Sequence, residues 1–151
     1  MCIRDSAYHE RFREEKLFWM DLTPEGRFSY APEGTETFCA NTVYFMHGPM
    51  MKLLAAFLNS SLITWYVKKN TVTSGMGTAR WFAVTVEAIP IPIAIDNART
   101  VNVLVDNLLA AMDDGAPEKV QALESEIEDF VFESYGISAQ QRQAIEKSAL
   151  A

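Results

Sequence analysis

Hydrophobic residues in the first third of the chain are concentrated in short aromatic runs that are typical of β-strands. Runs at residues 17–22 and 27–31 are separated by Thr-Pro-Glu-Gly at 23–26, where the proline fixes φ and the glycine permits a positive value. This pattern predicts a β-hairpin. Residues 38–46 include Val43, Tyr44 and Phe45, which suit a pleated, half-buried surface, and they predict a third strand.

From residue 50 the apolar positions recur at intervals of three and four, which places them on one face of a helix at about residues 50–69. Residues 70–79 are rich in Thr, Ser and Gly and predict a loop. Residues 81–86 then resume an extended pattern. The run Ile-Pro-Ile-Pro-Ile at 89–93 is incompatible with a helix, because each proline removes a backbone donor and forces its predecessor into an extended conformation.

Three amphipathic helices are predicted in the remainder of the chain. They span residues 97–112, residues 118–134 and a final stretch that Ser138 caps and that ends near residue 148. Asp96 or Asn97 can cap the first of them, and Gly136 stops the second. The predicted fold class is therefore α+β: a small, mostly antiparallel β region with one long inserted helix, followed by three short C-terminal helices.

Composition and charge limit the classes of function. With 49% hydrophobic and 22% charged residues, the chain is expected to form a globular core, and no apolar stretch approaches the roughly 20 residues that span a bilayer. Two cysteines and two histidines lack the spacing of a zinc site or a disulfide framework, so we expect a protein of the cytoplasm without a membrane partner. The net charge of −7 divides into −3 for residues 1–36, +3 for 37–95 and −7 for 96–151, so any contact with a polyanion is expected in the middle third.

The first six residues, Met-Cys-Ile-Arg-Asp-Ser, match the reading frame of a common sequencing-library transposon end. We interpret residues 1–6 as an assembly artefact and expect the true gene to begin upstream of Ala7. A genuine start that happens to match is the alternative.

Motifs for catalysis are missing from the sequence. A DNA methyltransferase needs a glycine-rich turn for its cofactor and an Asn/Asp-Pro-Pro-aromatic loop for the target amino group, and neither occurs here. Closely spaced carboxylates such as Glu124, Glu126 and Glu128 fall on predicted solvent-facing helix surface. We therefore predict no catalytic residue, metal ligand or cofactor site in this chain.

One segment, residues 67–82, combines residue types that suit DNA binding. No acidic residue occurs between Lys52 and Glu87. Lys68 and Lys69 can neutralise phosphates, Arg80 can contact a guanine edge bidentately and Asn70 an adenine edge. The competing interpretation is that the two lysines only complement the negative end of the helix dipole and that the loop has no ligand.

The order of motifs resembles the TaqI-like C-terminal specificity domains. Asn-Thr-Val-Tyr-Phe-Met at 41–46 is followed by Leu-Asn-Ser at 58–60, Thr-Ser-Gly-Met-Gly at 73–77, Ile-Pro-Ile-Pro at 89–92 and an acidic helix ending in Tyr-Gly-Ile at 135–137. The resemblance covers roughly residues 10–146. It implies a target-recognition domain at residues 7–95 and an acidic helical region at 96–151.

What the resemblance implies is recognition of double-stranded DNA next to an adenine-specific methyltransferase domain that positions and extrudes the target adenine. That domain would lie N-terminal in the same polypeptide and would bind S-adenosylmethionine, so the parent, not this chain, would be the enzyme or a fused restriction-modification enzyme. The residues carried over as DNA contacts are Lys68, Lys69, Asn70, Thr73, Ser74, Gly75, Met76, Gly77, Thr78, Arg80 and Trp81.

Two other functions compete with this one. Half of a Type I restriction specificity subunit also resembles the motif order, but such subunits continue into a long coiled coil, whereas the helix predicted at 97–112 stops at Asp-Asp-Gly and no heptads follow. A protein-interaction scaffold without DNA contact is favoured by the net charge and the acidic final third.

Overall fold

The β region is a three-stranded antiparallel sheet with the order β2-β1-β3. The structure is a computed structural model that describes residues 10–39, 42–71, 79–93 and 95–149, with only the backbone described at 95–97 and 149. Strand β1 (Lys16–Met20) pairs with β2 (Ser29–Ala31) and with β3 (Val43–His47), and a 3₁₀ turn at Glu10–Arg13 precedes it. The predicted hairpin is confirmed, and the third strand begins five residues later than predicted.

Strand β1 turns a charged residue as well as apolar ones towards the interior. Leu17 and Trp19 are buried, and Lys16 is buried beside them at 0% exposure. The Lys16 ammonium donates to three backbone carbonyls, those of Phe12 at 2.6 Å, Glu14 at 3.1 Å and Thr35 at 2.7 Å. Burial lowers the pKa of Lys16. Since all three N–H donors have partners, this lysine joins the segment before β1 to the turn that follows β2.

The long helix predicted at residues 50–69 is wrong in one respect, because the structure divides it into α1 (Met51–Leu58) and α2 (Ser61–Asn70). Ser60 has an extended conformation, and its hydroxyl accepts from the Ile63 N–H at 3.3 Å and donates to the Phe57 carbonyl at 2.7 Å. Ser60 is thus the N-cap of α2. Apolar periodicity continues through the break, which is why periodicity alone predicted one helix, whereas the run Asn-Ser-Ser was the available signal.

Asn59, at the same break, connects the helices to the sheet. Its side-chain oxygen accepts from the Phe28 N–H at 2.8 Å, and its amide nitrogen donates to the carbonyls of Phe28 and Ala55, both at 2.9 Å. Phe28 comes immediately before β2, where the strand ladder has ended, so Asn59 replaces the missing strand partner.

Residues 81–86, predicted as extended, contain a short helix instead, α3 (Ala83–Glu87). The Phe82 carbonyl accepts from Thr85 at 2.9 Å and from Val86 at 3.0 Å. The β-branched residues here favour strands, but over five residues the periods of a helix and a strand are difficult to distinguish. The Ile-Pro-Ile-Pro segment that follows is not helical, as predicted.

Three helices complete the fold: α4 (Ile95–Asp113), α5 (Pro117–Ser134) and α6 (Ala139–Ala149). Gly115 and Gly136 both have positive φ, at 64° and 65°, and each lies just after a helix. Ser138 caps α6 as predicted: its hydroxyl accepts from the Gln141 N–H at 3.3 Å, and the Gln141 side chain accepts from the Ser138 N–H at 2.8 Å. The predicted α+β class is confirmed.

Helix α1 lies between two buried clusters. Leu53, Ala56 and Phe57 belong to a cluster shared with α2, α4, α5 and α6, whereas Met51 and Leu58 belong to a second cluster with β1 and Trp81. The helical region therefore packs directly on the segment that carries the sheet, and the domain boundary at 95/96 stays a prediction. In the part of the chain that the structure describes, no helix has the length and apolar character needed to cross a membrane.

Candidate nucleic-acid interface

The C-terminal end of α2 carries two lysines, Lys68 and Lys69. Lys69 is exposed and Lys68 is half-buried, and within the described ranges neither forms an ion pair. Both lie in the last turn, where the helix dipole presents partial negative charge. Their position fits the interpretation that they complement the helix dipole. Because neither ammonium group pairs with a described carboxylate, both could also contact phosphates.

Asn70 and Thr71 finish α2 by bonding to their own helix. The Asn70 amide nitrogen donates to the Tyr66 carbonyl at 2.8 Å, and the Thr71 hydroxyl donates to the Val67 carbonyl at 2.7 Å. Asn70 is exposed, so its side-chain oxygen remains accessible for a base edge. The predicted contacts Thr73, Ser74, Gly75, Met76, Gly77 and Thr78 lie outside the described residues and stay predictions.

Residues 80 and 81, which follow the Thr, Ser and Gly-rich segment, are bonded to the end of β1 and the residues just after it. The Trp81 N–H donates to the Asp21 carbonyl at 2.7 Å, and the Trp19 indole N–H donates to the Trp81 carbonyl at 2.8 Å. Arg80 forms an isolated antiparallel bridge with Leu22. Because Trp81 belongs to the same buried cluster as Val67 of α2, both ends of the segment are fixed on one core.

Trp81, which the sequence analysis placed among the DNA contacts, is fully buried. Its side chain is 0% exposed, its ring lies edge-on to Phe28 with centroids 5.8 Å apart, and a Cβ added at Gly26 would lie 2.4 Å from the ring. A side chain enclosed in this way is not available to a duplex. Its backbone bonds to Asp21 and Trp19 hold the chain next to Arg80.

Arg80 remains accessible and has two side-chain neighbours. Its Nη1 atom is 3.5 Å from Oδ2 of Asp21, and its guanidinium carbon lies 5.4 Å from the centroid of the Phe82 ring. The side chain keeps 40% of its surface exposed. The arrangement holds the guanidinium at the protein surface, and Nη1 is its one nitrogen that bonds to a described residue.

The cationic middle third is partly neutralised by acids from the flanking thirds. Lys52 pairs with Asp106 of α4 at 2.6 Å, and Arg80 pairs with Asp21. Among the described residues, the basic side chains of residues 37–95 that keep an uncompensated charge are therefore Lys68 and Lys69. The charge pattern of the sequence confined the predicted phosphate contacts to residues 37–95, and the ion pairs leave the end of α2 as the candidate surface among the described residues.

Two polar contacts of the C-terminal helices were not predicted. Glu128 was assigned to solvent-facing surface, but its carboxylate accepts from the backbone N–H of Ser61 at 2.9 Å and from the Ser61 hydroxyl, at the start of α2. The Tyr135 hydroxyl donates to the Pro90 carbonyl at 2.7 Å. The motifs around residues 60 and 90, far apart in sequence, are thus each bonded to α5 or to the residue that ends it.

The described residues contain no group of three His, Cys, Asp or Glu side chains arranged to hold a metal ion. The protein is a small α+β fold in which Lys68 and Lys69 end a helix and the accessible Arg80 lies next to the buried Trp81. A family model, the TaqI-like C-terminal specificity domain, matches residues 3–91, more than half of the chain. The chain belongs to this family, as its motif order predicted. Comparison with curated proteins gave no match.

The family match ends at residue 91 and so covers the sheet, α1, α2, α3 and the first part of the Ile-Pro-Ile-Pro segment. The predicted likeness of the acidic tail to the family lies beyond it. Membership in this family supports a role in target recognition within a restriction-modification system.

Proposed function

We propose that this chain recognises a specific sequence in double-stranded DNA as the specificity part of a cytoplasmic restriction-modification enzyme. We further propose that the parent is an adenine-specific DNA methyltransferase whose catalytic domain, in the same polypeptide, binds S-adenosylmethionine and transfers the methyl group. Membership in the TaqI-like specificity family supports the first statement. The second statement adds the methyl-transfer reaction that is expected of a parent enzyme with such a domain.

The observation that carries the proposal is the uncompensated charge at the end of α2. Lys68 and Lys69 have no ion pair within the described chain, although the protein as a whole carries a net charge of −7. An acidic protein repels DNA unless a local cationic surface offsets the repulsion. Two adjacent ammonium groups beside a segment fixed at both ends form such a surface.

The salt dependence of binding tests this proposal. The probe is a fluorescently labelled pool of random-sequence duplexes, and anisotropy is followed from low to moderate salt. Each phosphate contact contributes about 0.9 to the slope of log K against log salt, so Lys68→Ala with Lys69→Ala is expected to reduce the slope by about 1.8.

The matched control is Lys119→Ala with Lys147→Ala. It makes the same change in net charge at two exposed lysines of α5 and α6. We expect this pair to leave the slope almost unchanged. Equal effects of the two double variants would mean that only net charge matters, and no salt-dependent binding at all would favour the scaffold function instead.

The adenine specificity has a separate test. The complete genomic reading frame that encodes this chain is expected to contain an Asn/Asp-Pro-Pro-Tyr-type motif that holds the extruded base. A complete reading frame without such a motif would remove the assignment to adenine and leave the recognition function in place.

A further inference from the structure

Arg80 is held in place from three directions. Its backbone is fixed by the bridge to Leu22 and by the adjacent Trp81 N–H, which donates to the Asp21 carbonyl at 2.7 Å. Its guanidinium has the Asp21 carboxylate on one side at 3.5 Å, and the Phe82 ring 5.4 Å from the guanidinium carbon. An arginine prepared in this way loses less rotamer entropy when it binds a planar ligand.

The N–H groups of Arg80 that have no partner among the described residues suit a ligand with two neutral acceptor atoms. A guanidinium has five N–H donors, and the contact with Asp21 involves Nη1 alone, so Nε and Nη2 have no partner in the described chain. Guanine offers two acceptors, O6 and N7, in the major groove, with a spacing that matches the arginine fork. A guanine edge can therefore be bound without breaking the contact with Asp21.

The Asp21 carboxylate disfavours the binding of phosphate, the other common ligand of arginine, to Arg80. A phosphate that approached Arg80 would also approach the negative charge of Asp21, and like charges at short range repel. Asp21 keeps 32% of its side chain exposed, so an approaching anion would meet it directly. Lys68 and Lys69 have no such neighbour among the described residues, which leaves them free to contact phosphates.

We propose that Asp21 is a positioning residue that directs Arg80 away from phosphates and towards the O6 and N7 atoms of one guanine in the recognition sequence. This inference rests on the proposed function. Two groups of residues then have different roles in DNA binding. The lysines at the end of α2 contribute affinity without sequence preference, and the pair formed by Asp21 and Arg80 contributes preference at one base pair. Phe82 supports the guanidinium plane through its exposed ring.

The test is a selection from a duplex library with a randomised core, in which the full chain is used and the bound fraction is sequenced. We expect the unaltered protein to prefer guanine at one position. Arg80→Ala is expected to reduce that preference by about 5- to 150-fold and to change the other positions little. Arg80→Lys keeps the charge but lacks the fork, so it should retain affinity and lose the same preference.

Asp21→Asn gives the decisive result, because it moves affinity and preference in opposite directions. Removing the carboxylate lets Arg80 contact phosphate, so affinity for random-sequence duplex should rise, its salt slope should increase by about 0.9, and the guanine preference should fall. A structural defect would instead weaken both. Asp21→Glu, which restores the charge, should recover part of the preference.

The matched control is Glu25→Gln, which removes one negative charge from an exposed residue of the same β1–β2 turn. It is expected to raise affinity slightly without altering the preference at the guanine position. Thermal unfolding of each variant confirms that the fold is retained.

Three results would overturn the inference: no guanine preference in the unaltered protein, a preference that survives both Arg80→Ala and Asp21→Asn, or an Asp21→Asn variant that loses affinity and preference together. In each case salt-dependent binding through Lys68 and Lys69 would still stand. If the unaltered protein does not bind duplex at all, the proposed function fails first, so the two failures are distinguishable.

Discussion

Replacing Asn59 with alanine is expected to lower the free energy of unfolding by about 2–4 kcal/mol. The side chain makes three hydrogen bonds, two of them to the backbone N–H and carbonyl of Phe28. Phe28 is 5% exposed, so both groups would be left without a partner in a largely dry environment, at about 1–2 kcal/mol each. The Ala55 carbonyl loses less, because it also accepts from the backbone N–H of Asn59 at 3.1 Å.

Urea unfolding followed by tryptophan fluorescence measures this change, since Trp19 and Trp81 both belong to the buried cluster that contains Phe28. For a chain of this length the loss corresponds to a decrease in Tm of roughly 5–15 °C. Hydrogen exchange adds a local measurement: the Phe28 amide should exchange much faster in the variant, because its acceptor has gone.

Two further variants separate hydrogen bonding from packing. Asn59→Asp keeps the shape but cannot donate to the carbonyls of Phe28 and Ala55, so it should be at least as destabilised as Asn59→Ala. Asn70→Ala removes a comparable bond to the helix residue four positions earlier, at an exposed site, and should change stability by no more than about 0.5 kcal/mol. An Asp variant as stable as the unaltered protein, or equal losses at residues 59 and 70, would refute the reasoning.

Three other changes test separate parts of the fold. Gly26→Ala should destabilise the protein by about 1–3 kcal/mol and weaken DNA binding, because the new methyl group would overlap the buried Trp81 ring that anchors the recognition segment; thermal unfolding and anisotropy measure the two effects. Lys16→Met should cost about 2–4 kcal/mol in urea unfolding, because three carbonyls lose the ammonium that satisfies them, and a stable variant would contradict that role. Burial raises the pKa of Tyr135 from its usual value near 10 to about 12, with proximity to Tyr66 adding to the effect, so the folded state holds this proton more tightly. Its contribution to stability is therefore complete below pH 10 and is lost as the pH rises to about 12. Tyr135→Phe should reduce this alkaline dependence and cost about 0.5–1.5 kcal/mol through the lost bond to Pro90, both measurable by unfolding at a series of pH values.

Local patterns in the sequence predicted most secondary-structure elements because local rules control them. The hairpin around residues 23–26, the three C-terminal helices and the cap at Ser138 depend on turn residues, apolar period and short-range hydrogen bonds, and the structure confirms each of them, although Gly26 does not have the positive φ that the sequence allowed. The order of motifs was sufficient to predict the family.

The elements that the sequence predicted wrongly are those where local signals conflict or are short. Apolar periodicity runs through Asn59 and Ser60, although their side chains divide the helix, and α3 is too short for its period to be distinguished from that of a strand. At the break between α1 and α2, the side chains also bond to distant residues. Asn59 bonds to a residue 31 positions away, and Ser61 to Glu128, 67 positions away.

The sequence by itself determined the fold class, the positions of the three C-terminal helices and the acid-free stretch that contains the DNA-binding candidates. Only the tertiary structure showed that Trp81 is buried, that Asp21 faces Arg80, and that Lys68 and Lys69 keep an uncompensated charge within the described chain. The physical reason is range. Helix and strand periods are set by backbone geometry over a few residues, whereas burial and ion pairing depend on side chains that are distant in sequence, such as Asp21 and Arg80, 59 positions apart.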